Sequence, residues 1–263
     1  MLLTLAVVCA VAGPASAQSI TVFAASDLGP PFKRIVPEFE RHTGAKVTLV
    51  LGSTGTLAQQ IRNGAPADVF FAANETYITH LVTESLTIEA TRRAYARGRI
   101  ATVALTDAGP RITGLSDLAR SEVKRIAIAN PAHAPYGLAA KQALERAGLW
   151  KSLQAKLVYG ENVQQAMQFV RSGSADAGIV ARSVADAPDV RWELIDERLH
   201  APLEQTAVVL ARTGEPAAST AFIQFVNGTQ GRLVMREFGF GLPGEPVDRT
   251  ATGAGSGAAG AKD

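Results

Sequence analysis

Along this chain, short apolar runs alternate with amphipathic stretches, so the hydrophobic period switches repeatedly between that of a strand and that of a helix. Residues 20–25 (I-T-V-F-A-A), 46–50 and 69–73 read as buried strands. Between them, Phe32, Ile35, Val36 and Phe39 share one face of a helix over 32–42 that Gly44 closes. Pro37 inside that span predicts a kink or a later start. A second helix follows Thr54 and stops at Gly64, a third covers 75–83, and residues 89–96 read as a fourth. The pattern then repeats, with strands at 99–105, 125–129, 156–159 and 175–180. Its helices begin at 113–116, 137–147 and 163–171. A strand at 206–210 and a helix at 217–227 follow.

Strand and helix alternating through short loops imply an α/β protein with open, mainly parallel sheets covered by helices. The segments form two blocks of similar grammar. The last strand and helix are left over, and they fit best by crossing back to the first block. The expected organisation is lobe I over 18–98 plus 207–243 and lobe II over 99–206. Two crossing segments near Ile100 and Thr206 would serve as a hinge.

The ends are of a different character. Residues 2–11 are apolar, and Ala15-Ser16-Ala17 before Gln18 matches a secretory cleavage site, so 1–17 is expected to be a signal peptide. The chain's one cysteine, Cys9, falls inside it, which leaves the exported protein without disulfides, thiolate chemistry or cysteine metal ligands. Residues 244–263 are rich in Gly, Ala and Ser and read as a disordered tail. After cleavage no long apolar run is left to enter a membrane, and 47% hydrophobic content suffices for two modest cores. A formal charge of +2, with no basic block, gives no reason to expect nucleic acid as a partner.

In open α/β sheets ligands sit beyond the carboxyl ends of strands, at helix N-termini. Four loops occupy such places: Ser26-Asp27, Ser53-Thr54, Pro135-Tyr136-Gly137 and Asn162-Val163, two in each block. The most informative is the second. There a strand stops at Gly52, two hydroxyls precede Gly55, and a helix begins, so that free N–H groups and the helix dipole converge on Ser53 and Thr54. None of the four places a Lys or Arg at its helix start. Facing lobes would therefore hold a small oxyanion by dipoles and hydrogen bonds alone. Taken singly, each loop has a plainer explanation: an N-cap for Ser53, a half-exposed aromatic for Tyr136, core packing for Val163. Catalysis finds little support. The histidines (His42, His80, His133, His200) fall in no nucleophile or metal motif, and the glycine loop at 52–55 lacks the lysine of a phosphate-binding loop. His133, between two prolines, reads as a structural loop residue.

These residues carry a resemblance. G-S-T-G-T-L-A-Q-Q-I-R-N-G-A-P-A-D-V-F from Gly52, V-F-A-A-S-D-L from Val22, P-A-H-A-P-Y-G from Pro131, E-N-V from Glu161 and G-I-V-A from Gly178 stand in one order over residues 20–241. In this the chain resembles the periplasmic molybdate-binding proteins of bacterial ABC importers. The resemblance implies a two-lobed periplasmic binding protein fold of type II-like topology. It also implies an interlobe cleft that holds molybdate or tungstate through Ser26, Asp27, Ser53, Thr54, Tyr136 and the backbone of Val163. No cofactor and no metal are implied beyond molybdenum carried as molybdate. The implied partner is a membrane permease, and the protein is expected to act as a periplasmic monomer. A tyrosine that some members supply after the Gly-Ile-Val strand is replaced by Ala181, so Tyr136 is the expected source of that hydroxyl.

Asp27 is the departure, since better-known members carry a neutral residue there. A carboxylate about 4 Å from one unit of negative charge costs roughly 4 kcal/mol at an effective dielectric near 20. Either its side chain turns aside and leaves only its N–H, the favoured expectation, or a proton is shared with the ligand. Alternatives are a cleft for another oxyanion, such as sulfate or protonated phosphate, and an exported hydrolase using Asp27 or Glu161.

Overall fold

The computed structural model describes residues 18–245. The expected signal segment lies outside the described residues, as does the tail beyond Glu245. The first half of the chain runs β1 (Ser19–Ala25), α1 (Gly29–Thr43), β2 (Lys46–Gly52), α2 (Thr54–Arg62), β3 (Val69–Ala72), α3 (Glu75–Thr83) and β4 (Thr87–Gly98). The second runs β5 (Ile100–Leu105), β6 (Ile126–Ala129), α4 (Pro135–Arg146), α5 (Trp150–Leu153), β7 (Leu157–Gly160), α6 (Val163–Arg171), β8 (Ala177–Ala181), α7 (Arg182–Ala185) and β9 (Val190–Leu194). Then come β10 (Leu203–Leu210), α8 (Pro216–Asn227) and α9 (Thr229–Glu237).

Two five-stranded sheets of matching plan result, in the orders β2-β1-β3-β10-β4 and β7-β6-β8-β5-β9. In the first, β1 lies parallel to β2 and β3, and β10 runs antiparallel between β3 and β4. In the second, β6 lies parallel to β7 and β8, and β5 runs antiparallel between β8 and β9. The chain passes between the sheets at Arg99 and again between Leu194 and Leu203. The mixed α/β architecture in two helix-covered sheets agrees with the fold class expected from the sequence.

Aromatic packing fixes the element that matters most for the site. On α1, Phe32 meets Phe71 edge-on at 5.1 Å and Phe222 at 5.6 Å, and Phe39 meets Phe222 at 5.0 Å. These rings are fully buried, so α1 is pinned against β3 and α8 one turn beyond Asp27. Pro37 does not divide α1, which is one continuous helix. The proline is exposed there, and the carbonyl it cannot pair with belongs to the exposed Lys33.

Residues 89–96, expected as a helix, belong instead to strand β4. Pairing with β10 from Gly98 to Thr87 overrides local preference. Two register shifts against β10 interrupt the in-and-out alternation, which is why no period of two is visible in the sequence. The helix start at 113–116 is a 3-10 turn over Leu115–Ala119. Strand β9 and helix α9 were not foreseen. The latter opens on Thr229, Gln230, Gly231 and Arg232, which carry no large apolar side chain, and it buries only Gly231 and Met235. No helix among the described residues is long and apolar enough to cross a membrane.

Candidate functional site

The carboxyl ends of β1, β2, β6 and β7 carry the four loops singled out by the sequence. After β1, Ser26–Leu28 makes one buried 3-10 turn that runs straight into α1. After β2, Ser53 adopts extended backbone and caps α2, its Oγ accepting from the Thr56 N–H at 3.3 Å. Thr54 Oγ1 accepts from the Ala73 N–H at 3.1 Å, which ties the first turn of α2 to the end of β3. In the other lobe Asn162 caps α6, its Oδ1 accepting from the N–H groups of Gln164 and Gln165. Helix α4 opens on Pro135 and places the buried Tyr136 in its first turn.

All six candidate residues, Ser26, Asp27, Ser53, Thr54, Tyr136 and Val163, line one cavity, and no Lys or Arg lines it. Its volume is ≈ 10 Å³, about what a single water-sized group needs. The loops are therefore drawn closely together. A ring of hydrogen bonds crosses between the sheets around them. The Gly55 N–H donates to the His133 carbonyl at 2.9 Å, and Ser53 Oγ stands 2.8 Å from His133 Nδ1. Thr56 Oγ1 donates to Glu161 at 2.9 Å, Gln164 Nε2 to the Ser26 carbonyl at 2.8 Å, and Ser183 Oγ to the Asp27 carbonyl at 2.8 Å.

Asp27 does not turn its carboxylate out of this assembly. It is wholly buried, and its Oδ2 accepts from the Tyr136 hydroxyl at 2.9 Å and from Gln205 Nε2 at 2.8 Å. Gln205 Nε2 also donates to the Tyr136 oxygen at 2.8 Å, closing a triangle between the two lobes and the returning strand β10. Gly98 on β4 leaves the space this triangle fills, since a Cβ there would stand 2.2 Å from the Tyr136 oxygen. Burial is the main cause that pushes the Asp27 carboxyl up from its ordinary 3.8 to about 6, and the bonds from Gln205 and Tyr136 only partly offset it. Burial likewise drives the Tyr136 phenol well above its usual range, with the neighbouring Asp27 charge adding to it. The hydroxyl hydrogen of Tyr136 is thus committed to Asp27. This is the hydroxyl that the sequence reading assigns to the ligand.

Gln205 and Ser183 were not among the sequence candidates. Gln205 leaves one faint signal, a polar residue just before the apolar run of β10. His133, expected only to shape its loop, instead bridges the cleft. A larger cavity of ≈ 600 Å³ lies between β4, β9 and residues 236–245. Among the charged residues that line it, Arg97 pairs with Glu204 and Arg236 with Glu245, which leaves it a self-neutralised groove rather than an anion site. No cluster of three or more His, Cys, Asp or Glu suited to a metal ion occurs among the described residues.

Two lobes of one plan, joined by paired crossings and closing four small loops on one cavity, define a solute-binding protein. The sequence profile of the bacterial extracellular solute-binding proteins matches residues 20–241, and the chain belongs to that family. It is 35% identical over 238 residues to the molybdate-binding protein ModA of Azotobacter vinelandii, a match covering 87% of this chain and 92% of that one. With ModA of Rhodobacter capsulatus it shares 31% identity over 239 residues, 90% of this chain and 93% of that one. Among solved structures, the periplasmic molybdate-binding protein of Azotobacter vinelandii superposes with a TM-score of 0.79 at 30% identity, covering 85% of this chain and 99% of that chain.

Proposed function

We propose that this chain is the molybdate-capturing component of an ABC importer, with tungstate as the equivalent ligand. The observation that carries this reading is that Ser26, Asp27, Ser53, Thr54, Tyr136 and Val163 line one cavity together, without any basic side chain. Such a lining suits a fully ionised oxyanion, met by helix N-termini and hydroxyls rather than by counter-charges. Relatives at 31–35% identity named as molybdate-binding proteins support the choice of anion. Lobe I is built on 18–98 with the returning strand β10 and the chain after it to 243, and lobe II on the chain from Arg99 to the second crossing; the boundary expected at 206 moves to before Leu203, because β10 already pairs with β4 there. They close as two bodies about the crossings, and ligand contacts from both sides favour the closed state. Discrimination from sulfate rests on cavity size and on the donors described below. The protein works in the periplasm as a monomer, delivers its ligand to a membrane permease, needs no cofactor and carries out no chemistry on the anion.

The test is a thermal-shift series on the protein lacking residues 1–17, with molybdate, tungstate, sulfate and phosphate. A ligand present at 100 times its Kd stabilises the native state by about 2.7 kcal/mol. Molybdate and tungstate are expected to raise the melting temperature at concentrations where sulfate and phosphate do not. A rise confined to phosphate or sulfate would contradict the reading, and turnover of a phosphate or sulfate ester that is lost in Asp27→Asn would replace it with the hydrolase alternative.

A further inference from the structure

We propose that Asp27 takes up one proton from solvent as the cleft closes on its oxyanion, and that the protonated Oδ1 donates a hydrogen bond to a ligand oxygen. This rests on the oxyanion-binding reading above and specifies how that site handles charge.

The two oxygens of Asp27 are unequal. Oδ2 receives two side-chain donors, Tyr136 and Gln205, whereas Oδ1 is buried and has no hydrogen-bond partner. A buried carboxylate oxygen without a donor is costly while charged, and protonation changes it from an unmet acceptor into a donor. Asp27 lines the cavity, and an oxyanion brings acceptors only, so a proton between them turns repulsion into a bond.

The surroundings supply no other neutralising charge. The titratable groups that bear on Asp27 are Tyr136 and Tyr95, both uncharged phenols with raised ionisation. The charged side chains on the elements packed against its turn have other partners or face water. On α1, Lys33 is exposed and Arg34 pairs with Glu237, while Glu38 holds Arg41 and His42, and Glu40 holds Lys46 of β2. On α6, Arg171 pairs with Asp189; on α7, Arg182 lies over Trp192 and near Asp186. Burial, only partly offset by the bonds from Gln205 and Tyr136, already holds the carboxyl near 6 before an anion adds its own field. Closure on an anion raises proton affinity further, so binding strengthens as pH falls toward the range where Asp27 is protonated without ligand. A more basic oxyanion accepts a stronger bond from such a donor, which favours molybdate over the weakly basic sulfate.

Calorimetric titration of molybdate at about pH 7.5 in buffers of different ionisation enthalpy, such as Tris and HEPES, counts the protons taken up. Close to one proton per molybdate is expected, with affinity falling about tenfold per pH unit above neutrality. In Asp27→Asn the uptake and the pH dependence should both vanish, and the preference for molybdate over sulfate should shrink several-fold. Molybdate binding by the natural protein without proton uptake overturns this proposal and leaves the oxyanion-binding reading standing. Absence of molybdate binding removes both. Because the count is made on the natural chain, it decides the matter even where the variant folds poorly.

Discussion

Tyr136, in the first turn of α4, donates its hydroxyl hydrogen to Oδ2 of Asp27, in the turn that ends β1, at 2.9 Å. The bond joins the two sheets at the cavity wall, and Gln205 holds both atoms from β10. It exists only when the loops have come together, so it belongs to the energetics of closure.

Removing the hydroxyl in Tyr136→Phe leaves Asp27 with one donor and one Gln205 N–H without its acceptor. Buried groups left unmet in this way cost about 1–3 kcal/mol, and each 1.4 kcal/mol is about tenfold in affinity. Molybdate Kd is expected to rise at least about fivefold by calorimetry. An unchanged Kd would mean that the bond plays no part in closure.

Gly55 tests closure without touching the ligand loop's hydroxyls. A Cβ at this position would stand 2.6 Å from the carbonyl oxygen of His133 in the opposite lobe, and backbone cannot rotate away. Within α2 alone, alanine is a better helix former than glycine by about 1 kcal/mol. Gly55→Ala is therefore expected to melt no lower than the natural protein without ligand, yet to lose most of its molybdate-induced stabilisation. A lowered melting temperature without ligand would indicate damage to the fold instead.

The buried carboxyl of Asp27 makes a pH-dependent contribution whose sign is fixed. Its value of about 6 in the folded protein lies above the ordinary 3.8. The neutral side chain is tolerated below the lower value, and the penalty grows as pH rises through the higher one. The ionised form then costs the folded, closed state roughly 3 kcal/mol. Asparagine keeps an acceptor for Tyr136 and Gln205 without the charge. The difference in unfolding free energy between Asp27→Asn and the natural chain should be near zero at pH 4 and favour the variant above pH 6.5. A constant difference across that range would contradict the assignment.

The strands and helices carried by continuous apolar periodicity were legible: the runs that became β1, β3 and β6 have one reading each, and Gly44 stops α1 where it should. What escaped was decided by partners distant in sequence. Strand β4 is a strand because β10 returns beside it, and its bulged register hides the alternation. The six cavity residues were legible because each sits at a strand end before a helix, a place the chain marks with small polar residues. The bonds among them were not. Gln205 lies 178 positions from Asp27, and His133 reaches Ser53 from the other lobe. No local spacing encodes such pairs, so the fate of the Tyr136 hydroxyl was open until the lobes were seen together.

Under the proposed function one oxyanion is held between the lobes at the loops of Ser26, Ser53, Tyr136 and Val163. Anomalous diffraction at the molybdenum edge, from crystals grown with molybdate, locates it. The prediction is a single strong peak per chain within hydrogen-bond reach of Ser53 Oγ, Thr54 and the Val163 N–H. A peak only elsewhere, for instance in the groove beside Arg97 and Arg236, or a saturated protein with no peak in the cleft, would contradict it.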